Sequence, residues 1–204
     1  MVIPKRYEKV KLKNIASIRT GYPFRTKIER NPEGTVGVIQ MKDIDDYNRL
    51  DLSDVYKVKV DDLYEKHLLK QDDILFCSRG VSNKMALVTK EVDNYVAASP
   101  LLVIQVKSQK VNPAYLVWCF QQNNIKKQIN RLAKGTSQLM VSKLALETLV
   151  IDIPPLEKQK LIAEIAALSE REQQIMEKLA QKRKTYIDAI LMPKNVNTKY
   201  LKQK

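Results

Sequence analysis

Residues Leu156–Met192, LEKQKLIAEIAALSEREQQIMEKLAQKRKTYIDAILM, contain neither glycine nor proline and lie between Pro154-Pro155 and Pro193. Pro155 suits a first helical position, where a missing N–H costs nothing, and Glu157 suits the positive end of a helix dipole. Lys182, Arg183 and Lys184 favour the C-terminal half, and Pro193 stops it. One helix of roughly 55 Å is expected, at 1.5 Å per residue. Leu161, Ile165, Leu168, Ile175, Leu179, Tyr186 and Ala189 fall on alternating four- and three-residue steps, a seam that a partner helix fills. Glu172 and Lys182 interrupt that seam at core-type positions, as polar residues do when they fix register or antiparallel pairing. The alternative is a long amphipathic helix folded back on its own domain; the narrow seam and the length favour a spacer and dimerisation arm.

Working outward, the 204 residues suffice for one sizeable domain plus this arm. Hydrophobic residues make up 44% of the chain, enough for a packed core. Lys and Arg number 36 against 23 acids, giving +13 and a pI near 9.6. Such an excess points to a polyanionic partner, nucleic acid above all. From Pro155 onward there are 11 basic and 6 acidic residues, so the excess is not confined to a charged tail. Cys77 and Cys119 belong to no CxxC pair, and His67 is the only histidine. No metal site is expected from them; buried thiols and a satisfied or surface histidine are. The start MVIPKRYEKVKLK is not a signal peptide, and no apolar run reaches a membrane span, so a cytoplasmic protein is expected, with no membrane partner.

The rest of the chain reads as alternating strands and helices. A short strand or turn is expected near Val10, and strands are expected into Gly21, at Val36–Met41, Val55–Val60, Ile74–Cys77 and Leu101–Val106, and again at Thr148–Ile153. Met85–Thr89 and Tyr95–Ala98 read as a strand pair. Asp61-Asp62 is placed to cap a short helix running to Leu69. Asn112-Pro113 opens a helix that continues or restarts through Ile125–Leu132, and Ser142 caps Lys143–Glu147. The fold class is therefore α+β. A mixed α/β globule over residues 1–153 is followed by one long helix over 154–192 and a basic tail over 193–204.

Three loops gather cations with hydrogen-bonding side chains. The first holds Arg25, Thr26 and Lys27. The second holds Ser78, Arg79, Ser82, Asn83 and Lys84, and the third Lys134, Thr136, Ser137, Gln138 and Lys143. Arg suits guanine edges, Asn and Gln suit adenine edges, and Lys, Ser and Thr suit phosphates. Tyr22 and Phe24 either pack beside a sugar or fill the core. Taken singly each residue reads as a solvated loop; together, on a net-basic domain, they read as a DNA-binding surface.

No catalytic constellation accompanies them. Methyltransferases that act on the amino groups of bases place Asp or Asn, two prolines and an aromatic in a row, whereas Asp152-Ile153-Pro154-Pro155-Leu156 inserts an isoleucine and lacks the aromatic. The five glycines never cluster as GxG, and there is no P-loop or Ser/His/Asp set. Asp43, Asp45 and Asp46 read as turn residues. No catalytic residue, metal or cofactor is expected.

Gly135-Thr136-Ser137-Gln138, then Leu146–Ile153, then Pro154-Pro155-Leu156-Glu157-Lys158-Gln159 with Ile162-Ala163, resemble the specificity (S) subunits of type I restriction–modification systems. In that family a target recognition domain ends in a strand, and a proline-proline-leucine, acid, glutamine run opens a conserved helix. Gly21, Gln71–Leu75 with Gly80, and Pro113-Ala114-Tyr115-Leu116 are similar to further recurring features, so the resemblance spans residues 8–191. Lys158 departs from it, standing where the family usually has an acid. So does the length, because the usual subunit carries two recognition domains and two helices paired antiparallel as a ruler. The resemblance implies a half-size subunit, without cofactor, that reads half of a bipartite and palindromic DNA target. Two copies would pair through Leu161, Ile165, Leu168, Ile175, Leu179 and Tyr186 as an antiparallel coiled coil. It implies double-stranded DNA, a methyltransferase subunit and, where one accompanies it, a restriction subunit as partners. A regulatory half subunit that pairs with a full-length specificity chain and a DNA-modifying enzyme remain as alternatives.

Overall fold

A computed structural model describes residues 7–60, 63–80, 83–89, 92–135 and 139–192; the basic tail expected over 193–204 lies outside them. In chain order the described strands are β1 (Glu8–Lys11), β2 (Ala16–Thr20), β3 (Val36–Ile39), β4 (Tyr56–Val58), β5 (Ile74–Cys77), β6 (Met85–Leu87), β7 (Tyr95–Ala97) and β8 (Leu101–Val106). Helices α1 (Pro113–Gln121), α2 (Asn123–Leu132) and α3 (Lys143–Glu147), strand β9 (Val150–Ile153) and helix α4 (Leu156–Leu191) follow. One compact unit ends at Ala163 and a second begins at Glu164, so the first unit includes the opening turns of α4.

The central sheet is antiparallel in the order β2-β8-β5-β6. The continuous apolar runs of β5 and β8 follow from cover on both faces. Ile74, Phe76, Leu102 and Ile104 point to the helices, where Leu116, Phe120, Ile125 and Ile129 complete a core. The alternate residues Leu75, Cys77, Leu101 and Val103 pack against Ile39, Leu69, Val88 and Ala97. Beyond them lies a second sheet, β4-β3-β7, in which β3 and β7 run parallel. β1 pairs antiparallel with β9, which brings the start of the chain beside the strand that leads into α4.

Two local expectations change. β6 and β7 do not pair with each other: β6 lies on β5 and β7 on β3. Gly37 explains the second choice, because a Cβ there would stand 2.5 Å from the Tyr95 ring, its register partner. Asp61-Asp62 lie outside the described residues, and the helix expected after them is only a 3-10 turn at Glu65–His67. Leu68 is extended and bridges Val96, and Leu69 N–H donates to Tyr95 O at 2.8 Å, which ends the helical turn. Elsewhere the capping chemistry is as expected, with Asn112 accepting from Tyr115 N–H and Ser142 from Ala145 N–H. Asp43 and Asp45 serve turns: Asp43 accepts from Gln40 N–H at 2.7 Å, and Asp45 from Tyr47 N–H at 2.9 Å. Among the described residues no helix is long and apolar enough to cross a membrane.

Cys77 and Cys119 are both buried and unpaired. Burial raises each thiol from 9.0 to about 11. Between those values the unfolded chain has released protons that the folded chain retains, so stability falls as pH rises through this window. Each thiol is expected to remove roughly 2–3 kcal/mol by pH 11. Urea midpoints taken at pH 8.5 and 10.5 should therefore drop, and Cys77→Ala with Cys119→Ala should flatten that drop. An unchanged slope in the double variant would assign the alkaline loss to other groups, Tyr115 first, whose hydroxyl is also raised by burial.

Candidate nucleic-acid interface

Gly21 ends β2 against the Ala97–Ala98 backbone, so closely that a Cβ would meet Ala98 O at 2.3 Å. This contact launches the first loop. Tyr22 N–H donates to Ala97 O, and the Tyr22 ring lies 4.8 Å from Phe24 and 5.2 Å from His67. Phe24 and Ile28 pack against the β3-β4-β7 core, so the aromatics anchor the loop from inside. Arg25 and Lys27 are left exposed, with Lys27 3.4 Å from Glu29 in a solvated pair of little energetic weight. Burial, then Lys66 and Arg19, hold the neighbouring His67 below its ordinary value.

The second loop leaves β5 at Ser78. Ser78 is buried, and its hydroxyl donates to Pro100 O at 2.7 Å; what it retains for a ligand is acceptor capacity. Arg79 is exposed. Asn83 is half-buried with φ +41, a left-handed conformation that asparagine tolerates, and its buried Oδ1 has no hydrogen-bond partner among the described residues. Lys84 forms an ion pair with Asp46 at 2.5 Å. Ser82 lies outside the described residues.

The third loop follows α2. Lys134 and Met140 exchange two backbone hydrogen bonds of 2.9 Å, which closes the loop, with Gly135 at φ +121 inside it. Thr136, Ser137 and Gln138 lie outside the described residues. Lys143 is exposed at the start of α3, 3.8 Å from Glu147.

The structure joins the second and third loops through the backbone. Val141 N–H donates to Ser78 O at 2.8 Å and Gly80 N–H to Leu139 O at 3.1 Å, which makes Arg79 and Met140 antiparallel partners. The turn Ala98–Leu101 also connects the first loop, through Tyr22 and Ala98, with the second, through Ser78 and Pro100. Cations separated by more than a hundred residues thus rise from one framework of short backbone contacts. The member that sequence reasoning missed is Met140, which bridges Arg79 and Lys134. It reads as filler in SQLMVSK, because its pairing is long-range and leaves no periodicity.

A family model described as Type I restriction modification DNA specificity domain matches residues 4–182. The type I restriction enzyme MjaVIII specificity subunit of Methanocaldococcus jannaschii is 26% identical over 173 residues, covering 79% of this chain and 39% of the relative. The HsdS subunit from Thermoanaerobacter tengcongensis shares the fold at a TM-score of 0.66 and 19% identity, over 90% of this chain and 47% of that one. The S subunit of a type I restriction–modification system from M. genitalium does so at 0.56 and 15%, over 90% and 45%. The chain therefore spans less than half the length of the relatives it matches. The α+β class, with its long C-terminal helix, agrees with these neighbours.

Proposed function

Because the chain belongs to the type I restriction modification DNA specificity domain family, we propose that it is a half-length, non-catalytic DNA-reading subunit of a type I restriction–modification complex. The observation that carries this reading is the backbone pairing that sets Arg79 and Lys134 on either side of Met140. Arg79 is the base reader there, with Gln138 and Asn83 as further base contacts. Arg25, Lys27, Lys84, Lys134, Thr136, Ser137 and Lys143 hold phosphates, and Ser78 positions Arg79 from behind. Chemistry on the DNA belongs to a methyltransferase subunit and, where present, a restriction subunit.

Two copies pair through α4, each laying its globule on one half-site. The seam is self-complementary in an antiparallel pair centred on residue 177. That centre sets Leu168 opposite the partner's Tyr186, Ile175 opposite the partner's Leu179, and Glu172 opposite the partner's Lys182. Each interruption of the seam then meets the opposite charge, twice per dimer. A two-fold assembly reads a palindrome with an unread middle, and an arm of roughly 55 Å suits half-site centres about one to one and a half turns of DNA apart.

The test is selection from random-sequence duplexes by the full chain, alone and with its methyltransferase subunit. An interrupted palindrome of fixed gap is expected. An asymmetric interrupted word would replace the homodimer by a mixed dimer, and no enrichment over salt-sensitive background would refute DNA reading. On the selected word, Arg79→Ala or Gln138→Ala should lose ~1–3 kcal/mol relative to random DNA. Equal losses on both sequences would make either residue a phosphate contact only.

A further inference from the structure

Met140 is the middle member of a three-residue row. It exchanges both backbone hydrogen bonds with Lys134, at 2.9 Å each, and is bridged on its other side to Arg79. Directly opposed residues of antiparallel ladders carry their side chains on one face. With neighbouring strands about 4.8 Å apart, the row sets cation, thioether and cation across roughly 10 Å of that face. Arg79 and Lys134 are exposed, and Met140 is 44% exposed between them.

An unbranched apolar side chain held open between two cations is complementary to an occupant that is apolar at its centre and anionic at its flanks. A duplex groove has that pattern, with phosphates on both walls, and the width of the row fits a major groove of about 12 Å. Along its floor the apolar group on a base edge is the 5-methyl of thymine. We propose that Met140 is a specificity-determining residue that packs on the 5-methyl group of a thymine beside the base engaged by Arg79, with Lys134 on a phosphate. This inference rests on the DNA-reading role proposed above. The ladder fixes the backbone of Met140, and its three rotatable bonds let the thioether settle on the methyl.

The test rebuilds the selected word with deoxyuridine in place of thymidine at one position at a time, which deletes a methyl group and nothing else. For the wild-type chain one position should lose roughly three- to fivefold in affinity, the value of one buried methyl group. Met140→Ala should bind thymine and uracil equally at that position, and Met140→Leu should keep a preference. Both variants retain the fold, because the ladder bonds come from the backbone and the side chain is exposed. The proposal is overturned if no methyl is sensed, or if the sensitivity survives in Met140→Ala. If the wild-type chain enriches no word at all, the DNA-reading role itself fails and Met140 falls with it.

Discussion

Ile165→Glu combined with Leu168→Glu is expected to leave a folded globule that no longer self-associates. In the chain by itself Ile165 is 58% exposed and Leu168 62%, and Leu161, Ile175, Leu179 and Tyr186 are exposed to similar degrees. Covering each of these side chains is worth about 1–2 kcal/mol before the costs of association. The double substitution removes two of them per helix and puts two carboxylates into a low-dielectric seam, each costing several kcal/mol if buried unpaired. Sedimentation should show at least a ~1000-fold weaker dimer, equivalent to about 4 kcal/mol. The urea transition of the globule should not move, since neither residue belongs to its core. A charge exchange tests the register separately. Glu172→Lys alone or Lys182→Glu alone should weaken the pair, and the two together should restore it. Restoration supports antiparallel pairing about residue 177. A dimer that survives Ile165→Glu with Leu168→Glu would remove the seam from the assembly.

What the sequence made legible was local. The span of α4 follows from its proline brackets and the absence of glycine; Asn112 and Ser142 announce their caps; β5 and β8 declare burial on both faces by being apolar throughout. What it hid was long-range. The parallel pairing of β7 with β3 depends on space beneath the Tyr95 ring at Gly37, residues far apart in sequence. Met140 looks like loop filler until its ladder with Arg79 and Lys134 is drawn. Ser78 illustrates the converse. Its place beside Arg79 suggested a ligand contact, yet its hydroxyl proton is engaged by a carbonyl 22 residues away, at Pro100. Spacing reports residue types in a loop and not which of their hydrogen bonds the fold has already used.

Gln159→Leu is expected to be strongly destabilising although it keeps the volume of a buried side chain. The family run proline-proline-leucine, acid, glutamine ends at this residue, and here its side chain is fully buried in the opening turns of α4. Its Oε1 accepts from Asn112 N–H at 2.9 Å, and its Nε2 donates to Lys110 O at 2.8 Å and Pro154 O at 2.7 Å. One carboxamide therefore satisfies three backbone groups on two segments, the loop before α1 and the turn before α4. Leucine fills the space but leaves all three groups without a partner. At about 1–3 kcal/mol for each buried unsatisfied group, partly relieved by water, a loss of roughly 3–5 kcal/mol follows. Gln159→Glu should recover little, because a carboxylate accepts from Asn112 but offers nothing to two carbonyls. The same joint is tied by Tyr115, whose N–H donates to Asn112 Oδ1 and whose hydroxyl donates to Asp152 O at 2.8 Å. Tyr115→Phe added to Gln159→Leu should therefore cost less than the two separate losses combined, since both act on one network. Urea denaturation of the four chains measures this. A loss below about 1 kcal/mol for Gln159→Leu would mean that water enters and replaces the carboxamide. Strict additivity would mean that the Asn112 loop and the β9 end are held independently.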